Sequence, residues 1–174
     1  MCGIIGFTGN LQAPGILVDG LQQLEYRGYD SAGIAVNNGS ETQIVKTTGK
    51  VATLREKVAA TAGLEGTCGI GHTRWATHGG VTEVNAHPHV SGNVTLIHNG
   101  IIENYKELAA SLKTKGYTAI SETDTEVAAM LIDSLYDGDP FAALKEADKV
   151  LEGAYGFCVM FKDHPGEIYC MRNA

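Results

Sequence analysis

Short runs of apolar and β-branched residues recur along the chain, and most of them are flanked by glycine. They are rich in isoleucine, valine and threonine, which favour extended backbone in a partly buried sheet. Each run is four to nine residues long, which is typical of strands. Strands are therefore predicted at residues 3–7, 33–36, 42–47, 67–75, 94–99, 155–161 and 167–172.

The segments between several of these runs show the three- and four-residue apolar spacing of α-helices. Pro14 suits a first helical turn, and Thr123 lies three residues before Glu126, as in a capping box. Apolar stripes are formed by Leu17, Leu21 and Leu24; by Tyr105, Leu108, Ala109 and Leu112, ended by Gly116; and by Val127, Leu131 and Leu135. A last helix is predicted from Pro140 through Leu151.

The resulting order is strand, helix, hairpin, helix, strands, two or three helices, strands. Consecutive strands favour antiparallel pairing, and grouped helices favour an α+β protein in which helices cover sheets. A chain of 174 residues fits one domain, so residues 1–174 are expected to form a single domain. The 22 glycines crowd into residues 28–33, 63–80 and 92–100, which suggests tight backbone turns around one site.

The net charge of the chain limits the kinds of molecule that we expect it to bind. The 13 basic and 20 acidic residues give a net charge of −7 without a basic cluster, so we expect no nucleic acid and no anionic membrane as partners. The apolar runs are too short to span a bilayer, and no secretory leader pattern opens the chain. A cytoplasmic location is expected by default.

Cys2 differs from the other three cysteines because it directly follows Met1. Removal of Met1 would leave a cysteine with a free α-amine, whose pKa of about 7.7–8.0 lets it act as a base beside its own thiol. The alternative is that Cys2 only begins an apolar strand. Cys68, Cys158 and Cys170 are expected as thiols at buried or half-buried positions.

Asn99 and Gly100 end a predicted strand. A carboxamide donor beside a glycine N–H can hold an oxyanion during acyl transfer. The alternative is an ordinary Asn-Gly hairpin turn, which this dipeptide strongly favours.

Arg74 and Asp124 are candidates for binding a charged substrate. Arg74 could hold a carboxylate through two parallel hydrogen bonds, or it could lie over Trp75 at the surface. Asp124 could pair with an ammonium, or it could only complement the dipole at a helix start. Six histidines occur without a metal-ligand spacing, so no metal site is expected.

Together these residues resemble the class II, N-terminal-nucleophile glutamine amidotransferases. The branch that fits is the glutaminase domain of the glutamine–fructose-6-phosphate aminotransferases, which make glucosamine-6-phosphate. The matching stretches are MCGIIG at 1–6, LEYRGYDSAG at 24–33, HTRWATHG at 72–79, NAHPH at 85–89, HNGIIEN at 98–104, SETDTE at 121–126 and GAYG at 153–156. The opening MCGI is common to class II enzymes, whereas RGYDSAG with HTRWATHG is specific to this branch.

The resemblance implies a four-layer αββα sandwich of two mostly antiparallel sheets, the N-terminal-nucleophile hydrolase fold. It also implies roles for several residues: Cys2 as nucleophile, Asn99 and Gly100 as holders of the oxyanion, Arg74 with Thr77 and His78 at the substrate carboxylate, Asp124 at its ammonium, and Trp75 as the gate of an ammonia channel. No cofactor is implied.

Partners implied by the resemblance are glutamine and the sugar-isomerase domains that hold the fructose-6-phosphate site; a homodimer is a further candidate. The domain of this family continues beyond the point where residue 174 lies, so the αββα core is expected to be incomplete. Two alternatives stay open: a class II amidotransferase with another ammonia acceptor, and an inactive binding module.

Overall fold

The computed structural model describes residues 2–174, and Met1 lies outside the described residues. The strands are β1 Gly3–Thr8, β2 Ser31–Asn37, β3 Thr42–Thr48, β4 Cys68–Arg74, β5 His89–Ser91, β6 Val94–Ile102, β7 Gly153–Phe161 and β8 Tyr169–Asn173. The helices are α1 Ala13–Gln23, α2 Val51–Ala60, α3 Tyr105–Thr114, α4 Asp124–Leu135 and α5 Pro140–Asp148, with a 3₁₀ helix at Glu25–Arg27. None of the helices within residues 2–174 has the length and apolarity needed to cross a membrane.

The strands form two four-stranded sheets in which every pairing is antiparallel. The first sheet has the order β1-β4-β2-β3 and the second has the order β5-β6-β7-β8. Two features of the register matter for the site: Gly3 pairs with Thr73, and Asn99 pairs with Gly156. The start of β1 therefore lies beside the end of β4. Strand β6 of the second sheet contacts both of these strands.

Three apolar clusters separate the layers. Helices α1 and α2 pack on the first sheet through residues such as Leu17, Leu21 and Leu54. Helices α3, α4 and α5 pack on the second sheet in a larger cluster. Ile70 and Ile97 belong to a smaller cluster that lies between the two sheets. The predicted α+β fold with a four-layer αββα order is confirmed.

Most predicted elements are confirmed, with differences at their ends. The capping box is formed in part, because Thr123 Oγ1 accepts from the Glu126 N–H at 3.2 Å while the Glu126 carboxylate accepts from Ile120 and Ser121 instead. Strand β6 continues to Ile102, three residues beyond its predicted end, and α5 stops at Asp148. The three-residue strand β5 was not predicted.

The hairpin-turn interpretation of Asn99-Gly100 is wrong. Both residues lie inside β6, where they pair with Gly156 and Tyr155 of β7. An Asn-Gly dipeptide favours a turn locally, but here the pairing of a long strand with its neighbour prevails.

The expectation that Cys170 is at least half-buried is also wrong. Cys170 is exposed, whereas Cys68 is buried and Cys158 is half-buried. The reason is its place on β8, which is an edge strand among the described residues. Its sulfur lies 3.5 Å from that of Cys158, the residue directly opposite on β7.

Candidate active site

Cys2 lies at the end of the first sheet, one residue before β1. The Gly3 N–H donates to Thr73 Oγ1 at 3.0 Å, which anchors the start of β1 on β4. The Trp75 N–H then donates to Cys2 Sγ at 3.1 Å. The position of this N–H donor beside the sulfur is set by the end of β4.

Asn99 reaches Cys2 from the second sheet. Its Nδ2 donates to the Cys2 carbonyl oxygen at 3.3 Å, so a carboxamide donor contacts the same residue that carries the thiol. The next residue, Gly100, has φ of +131°, and a Cβ there would lie 2.1 Å from the Ala154 carbonyl oxygen. Only glycine fits this position, because another residue would clash with the backbone of β7.

Arg74 is a buried cation without a carboxylate partner. The residue is 3% exposed, so it is not the surface arginine of the alternative interpretation. Nη1 donates to the Gly80 carbonyl at 3.0 Å and Nη2 donates to the His78 carbonyl, so the guanidinium organises the loop 75–80. No ion pair of Arg74 occurs within residues 2–174. A buried guanidinium left in this state is costly unless an anion binds it.

Asp124 is a buried anion in a comparable position. It is 4% exposed, and Oδ2 accepts from the Ile102 N–H at 2.9 Å, which ties the end of β6 to the start of α4. The side-chain cap of α4 is Thr123, so Asp124 is not needed for that role. In the described part of the chain no cation pairs with Asp124.

These groups line one cavity of about 540 Å³. Trp75 is 54% exposed and lies at the rim of the cavity. Its ring packs on Gly28, where a Cβ would lie 3.4 Å from it. Thr77 and His78 follow in the same loop, and the His78 ring meets Tyr105 edge-on at 5.2 Å. All eight predicted site residues line this cavity: Cys2, Arg74, Trp75, Thr77, His78, Asn99, Gly100 and Asp124.

Buried histidines form the floor of the cavity. The rings of His72 and His87 stack at 4.1 Å, and His98 and His87 both contact Thr125 Oγ1, at 3.1 and 2.9 Å. Burial lowers the pKa of His72 to about 3 and that of His98 to about 4, with the nearby Asp124 carboxylate opposing the shift at His98. These rings are therefore neutral near pH 7. No group of three or more potential ligands is placed to bind a metal ion in the part of the chain that is described.

Sequence reasoning did not assign roles to several residues that position the site. Asp30 Oδ2 accepts from the Ala76 N–H at 2.6 Å, and Glu122 Oε2 accepts from the Gly80 N–H at 3.1 Å. Gly33 admits the His87 carbonyl, which would lie 2.1 Å from a Cβ there. The clustering of glycines was the available signal, but periodicity does not reveal which backbone segments approach each other.

The arrangement can bind a small molecule that carries both a carboxylate and an ammonium. Arg74 and Asp124 offer the two opposite charges, and Cys2 and Asn99 line the same cavity. A thiol so placed can attack a carbonyl in the side chain of a bound amino acid. The carboxamide N–H can then donate to the oxyanion that forms.

The chain is similar to known glutamine amidotransferases. Residues 72–174, more than half of the chain, match the model of a family described as "Glutamine amidotransferase domain". A glutamine–fructose-6-phosphate aminotransferase [isomerizing] of Thermus thermophilus is 53% identical over 94% of this chain and 27% of its own length. The same enzyme of Caldanaerobacter subterraneus subsp. tengcongensis is 50% identical over 99% of this chain and 29% of its own. The chain thus spans less than a third of these curated relatives.

Solved structures show the same fold. The glutamine phosphoribosylpyrophosphate amidotransferase of B. subtilis, complexed with ADP and GMP, superposes with a TM-score of 0.79 at 29% identity. The match covers 93% of this chain and 35% of that one. A glutamine aminotransferase class-II domain protein from Silicibacter pomeroyi is more distant, with a TM-score of 0.56 and 17% identity over 83% of this chain and 69% of that one.

Proposed function

The chain belongs to the glutamine amidotransferase domain family, and on that premise we propose that it hydrolyses glutamine to glutamate and ammonia through a γ-glutamyl thioester on Cys2. The observation that carries the proposal is the presence of two buried charges without ionic partners, Arg74 and Asp124, in the cavity that Cys2 lines. A zwitterionic α-amino acid neutralises both. An amide that lacks either charge leaves one of them buried without a partner, which is strongly unfavourable.

The first half of the reaction forms the thioester. The free α-amine of Cys2 takes the thiol proton, and the sulfur attacks the carboxamide carbon of glutamine. The carbonyl oxygen becomes an oxyanion, which the Asn99 Nδ2 and the Gly100 N–H stabilise. The Cys2 ammonium then gives its proton to the leaving nitrogen, the C–N bond breaks, and ammonia departs.

The second half releases glutamate. A water molecule gives a proton to the Cys2 amine as its oxygen attacks the thioester carbon. The same donors hold the second oxyanion, the C–S bond breaks, and the thiolate recovers its proton. Arg74, with Thr77 and His78 in its loop, holds the α-carboxylate throughout, while Asp124 holds the α-ammonium.

The destination of the ammonia is a further part of the proposal. The similar proteins from Thermus and Caldanaerobacter are named for fructose-6-phosphate as acceptor, and RGYDSAG with HTRWATHG favours that branch. We therefore propose that this domain supplies ammonia to a sugar-isomerase portion that makes glucosamine-6-phosphate, with Trp75 at the exit of the cavity. The alternative acceptor is a phosphoribosyl group, because the B. subtilis enzyme has the same fold.

The test is stoichiometric. Protein whose intact mass shows a free Cys2 amine should release glutamate and ammonia in equal amounts, and Cys2→Ala should release neither. Cys68→Ala and Cys170→Ala, which remove thiols outside the cavity, are the matched controls. Hydrolysis at the normal rate by a verified Cys2→Ala protein would refute the mechanism. Binding of glutamate without any turnover by the free-amine protein would instead favour the inactive binding module.

The acceptor is tested with the full-length protein. Glutamine consumption should rise on addition of fructose-6-phosphate and yield an amino sugar phosphate. A response to phosphoribosyl pyrophosphate alone would favour the alternative acceptor.

A further inference from the structure

His72 lies on the face of β4 that is directed toward the second sheet. Side chains alternate along a strand, so His72 shares its face with Ile70, which belongs to the cluster between the sheets. On β6, Asn99 shares its face with Ile97 of the same cluster. The packing of the two sheets therefore brings His72 against Asn99, although the two residues are remote in the chain.

The contacts of His72 determine where its ring proton lies. Its Nε2 is 2.9 Å from the His98 carbonyl oxygen and 2.9 Å from Asn99 Oδ1. A carbonyl oxygen only accepts hydrogen bonds, so Nε2 must carry the proton and donate. The atom of Asn99 that faces His72 must then be the acceptor Oδ1.

This assignment fixes the other end of the carboxamide. With Oδ1 turned to His72, Nδ2 is turned to Cys2, whose carbonyl oxygen it contacts at 3.3 Å. If the amide were reversed, its NH₂ group would face the Nε2–H of His72, and an acceptor oxygen would face Cys2. Two donors pointing at each other in a buried place are unfavourable, so the reversed state is suppressed.

The surroundings of the second ring nitrogen of His72, Nδ1, keep the ring neutral. Nδ1 of His72 is buried and has no hydrogen-bond partner within residues 2–174. A proton on Nδ1 would be a buried donor without an acceptor, next to the cation Arg74 and the stacked ring of His87. Burial accordingly holds the pKa of His72 at about 3, with a further lowering by His98 and Arg74.

We propose that His72 is a positioning residue for the reaction, which orients the Asn99 carboxamide so that its N–H, and not its oxygen, faces the carbonyl that Cys2 attacks. The proposal rests on the function proposed above. It adds a residue whose hydrogen bonds go to the His98 carbonyl and to Asn99, and that acts through Asn99.

The expected loss of kcat in His72 variants follows from the oxyanion donor, the Asn99 N–H, that His72 orients. Loss of one oxyanion donor costs about 10²–10³-fold in kcat. Without His72 the amide can adopt both orientations, so His72→Met should lower kcat by about 10–100-fold, short of the full loss. The KM for glutamine should stay within about threefold, since Arg74 and Asp124 hold the substrate ends. His72→Gln, whose side-chain NH₂ can donate to Asn99 Oδ1, should recover most of the rate.

A spectroscopic experiment tests the orientation without reference to turnover. Nitrogen-15 spectra of the wild-type protein should show His72 as the Nε2–H tautomer from pH 5 to 8. The side-chain amide signals of Asn99 should shift in His72→Met and return in His72→Gln. An Nδ1–H tautomer, or Asn99 signals unaffected by His72→Met, would overturn the proposal even if glutamine is hydrolysed normally.

A binding experiment tests the consequence. An analogue of glutamine with an aldehyde in place of the amide forms a tetrahedral adduct with the thiol, whereas glutamate occupies the site without one. His72→Met should weaken the aldehyde by at least about tenfold and leave the Kd of glutamate unchanged, since the adduct alone needs the oxyanion donor. Equal weakening of both ligands would overturn the proposal.

Ile70→Val is the control for packing, because Ile70 lies on the same face of β4 and its side chain cannot form a hydrogen bond with the carboxamide. It should leave the kcat nearly unchanged, and a loss as large as that of His72→Met would assign the effect to the core instead. Wild-type protein with a free Cys2 amine that is inactive, yet shows the Nε2–H tautomer and Asn99 signals that shift in His72→Met, would refute the proposed function and support the orientation of Asn99.

Discussion

The carboxylate of Asp30 holds the peptide N–H of Ala76 at 2.6 Å, and through it the segment that follows β4. The Asp30 N–H also donates to the Arg74 carbonyl at 2.7 Å. These two bonds bracket Trp75, whose own N–H contacts Cys2 Sγ. Asp30, at the entry to β2, thus sets the backbone position on which the thiol depends.

Asp30→Ala should lower both stability and turnover. A hydrogen bond to a charged group contributes about 1.5–3 kcal/mol, so denaturant unfolding should show a loss of that size. The kcat should fall as well, because the Trp75 N–H is no longer held against Cys2. Asp19→Ala is the control, since Asp19 makes only an exposed ion pair with Arg55 and should change stability by less than about 1 kcal/mol. A normal kcat in Asp30→Ala would contradict this role.

Arg74→Lys should weaken the binding of glutamate and glutamine by about tenfold or more, because an ammonium cannot replace the planar fork. One ammonium cannot serve the carbonyls of His78 and Gly80 and the substrate carboxylate in the same geometry. Calorimetric titration with glutamate measures the change. Lys57→Ala, which removes an exposed cation outside the cavity, is the control. An unchanged Kd in Arg74→Lys would exclude Arg74 from substrate binding.

Because several histidines are buried, we expect the protein to lose stability in mild acid. Burial lowers the pKa of His72 to about 3 and of His98 to about 4, and it lowers those of His87 and His89 as well. The folded state therefore keeps these rings neutral while the unfolded state takes up protons below about pH 6.5. The free energy of unfolding should be greatest above about pH 6.5 and should fall as the pH drops toward about 4.

Each neutral ring contributes up to about 1.4 kcal/mol per pH unit to this slope. Urea unfolding of His72→Gln should show a smaller slope between about pH 6.5 and 4 than the wild-type protein. His164→Gln removes a ring outside this cluster and should retain the slope. Equal slopes in the wild-type protein and in His72→Gln would show that His72 is not held neutral by the fold.

Retention of Met1 should suppress glutamine hydrolysis. A peptide bond on Cys2 turns its nitrogen into an amide, which cannot accept the thiol proton near neutral pH. Protein that keeps Met1 should still bind glutamate, since Arg74 and Asp124 are unaffected, but its kcat should fall by about 10²-fold or more, as expected when a general base is lost. Intact mass assigns the two forms, and full activity of the Met1-retaining form would argue against the amine as base.

Much of the architecture follows from local pattern. Short glycine-flanked runs rich in isoleucine, valine and threonine identified the strands, and the Thr123–Glu126 spacing located the start of α4. These predictions succeed because strand and helix periods are set by nearest neighbours along the chain. The motifs around Cys2, Arg74, Asn99 and Asp124 also brought the candidate residues together by resemblance before any geometry was available.

Local pattern misjudged the places where distant segments meet. Asn99-Gly100 has the composition of a turn but is held in β6 by β7, and Cys170 has apolar neighbours but lies on an edge strand. In both cases the deciding contact comes from another strand, whose pairing is not encoded in the run itself.

The sequence by itself determined that Cys2 stands next to a terminal amine once Met1 is removed, since that is a covalent relation, and that two sheets with helices are the fold. Only the tertiary structure decided that Arg74 is buried without an anion and that His72 faces the Asn99 oxygen. The reason is that burial and hydrogen-bond partnership depend on how the two sheets pack across their common core. The way the two sheets pack on each other is a property of the folded molecule, and the spacing of residues along a single strand does not specify it.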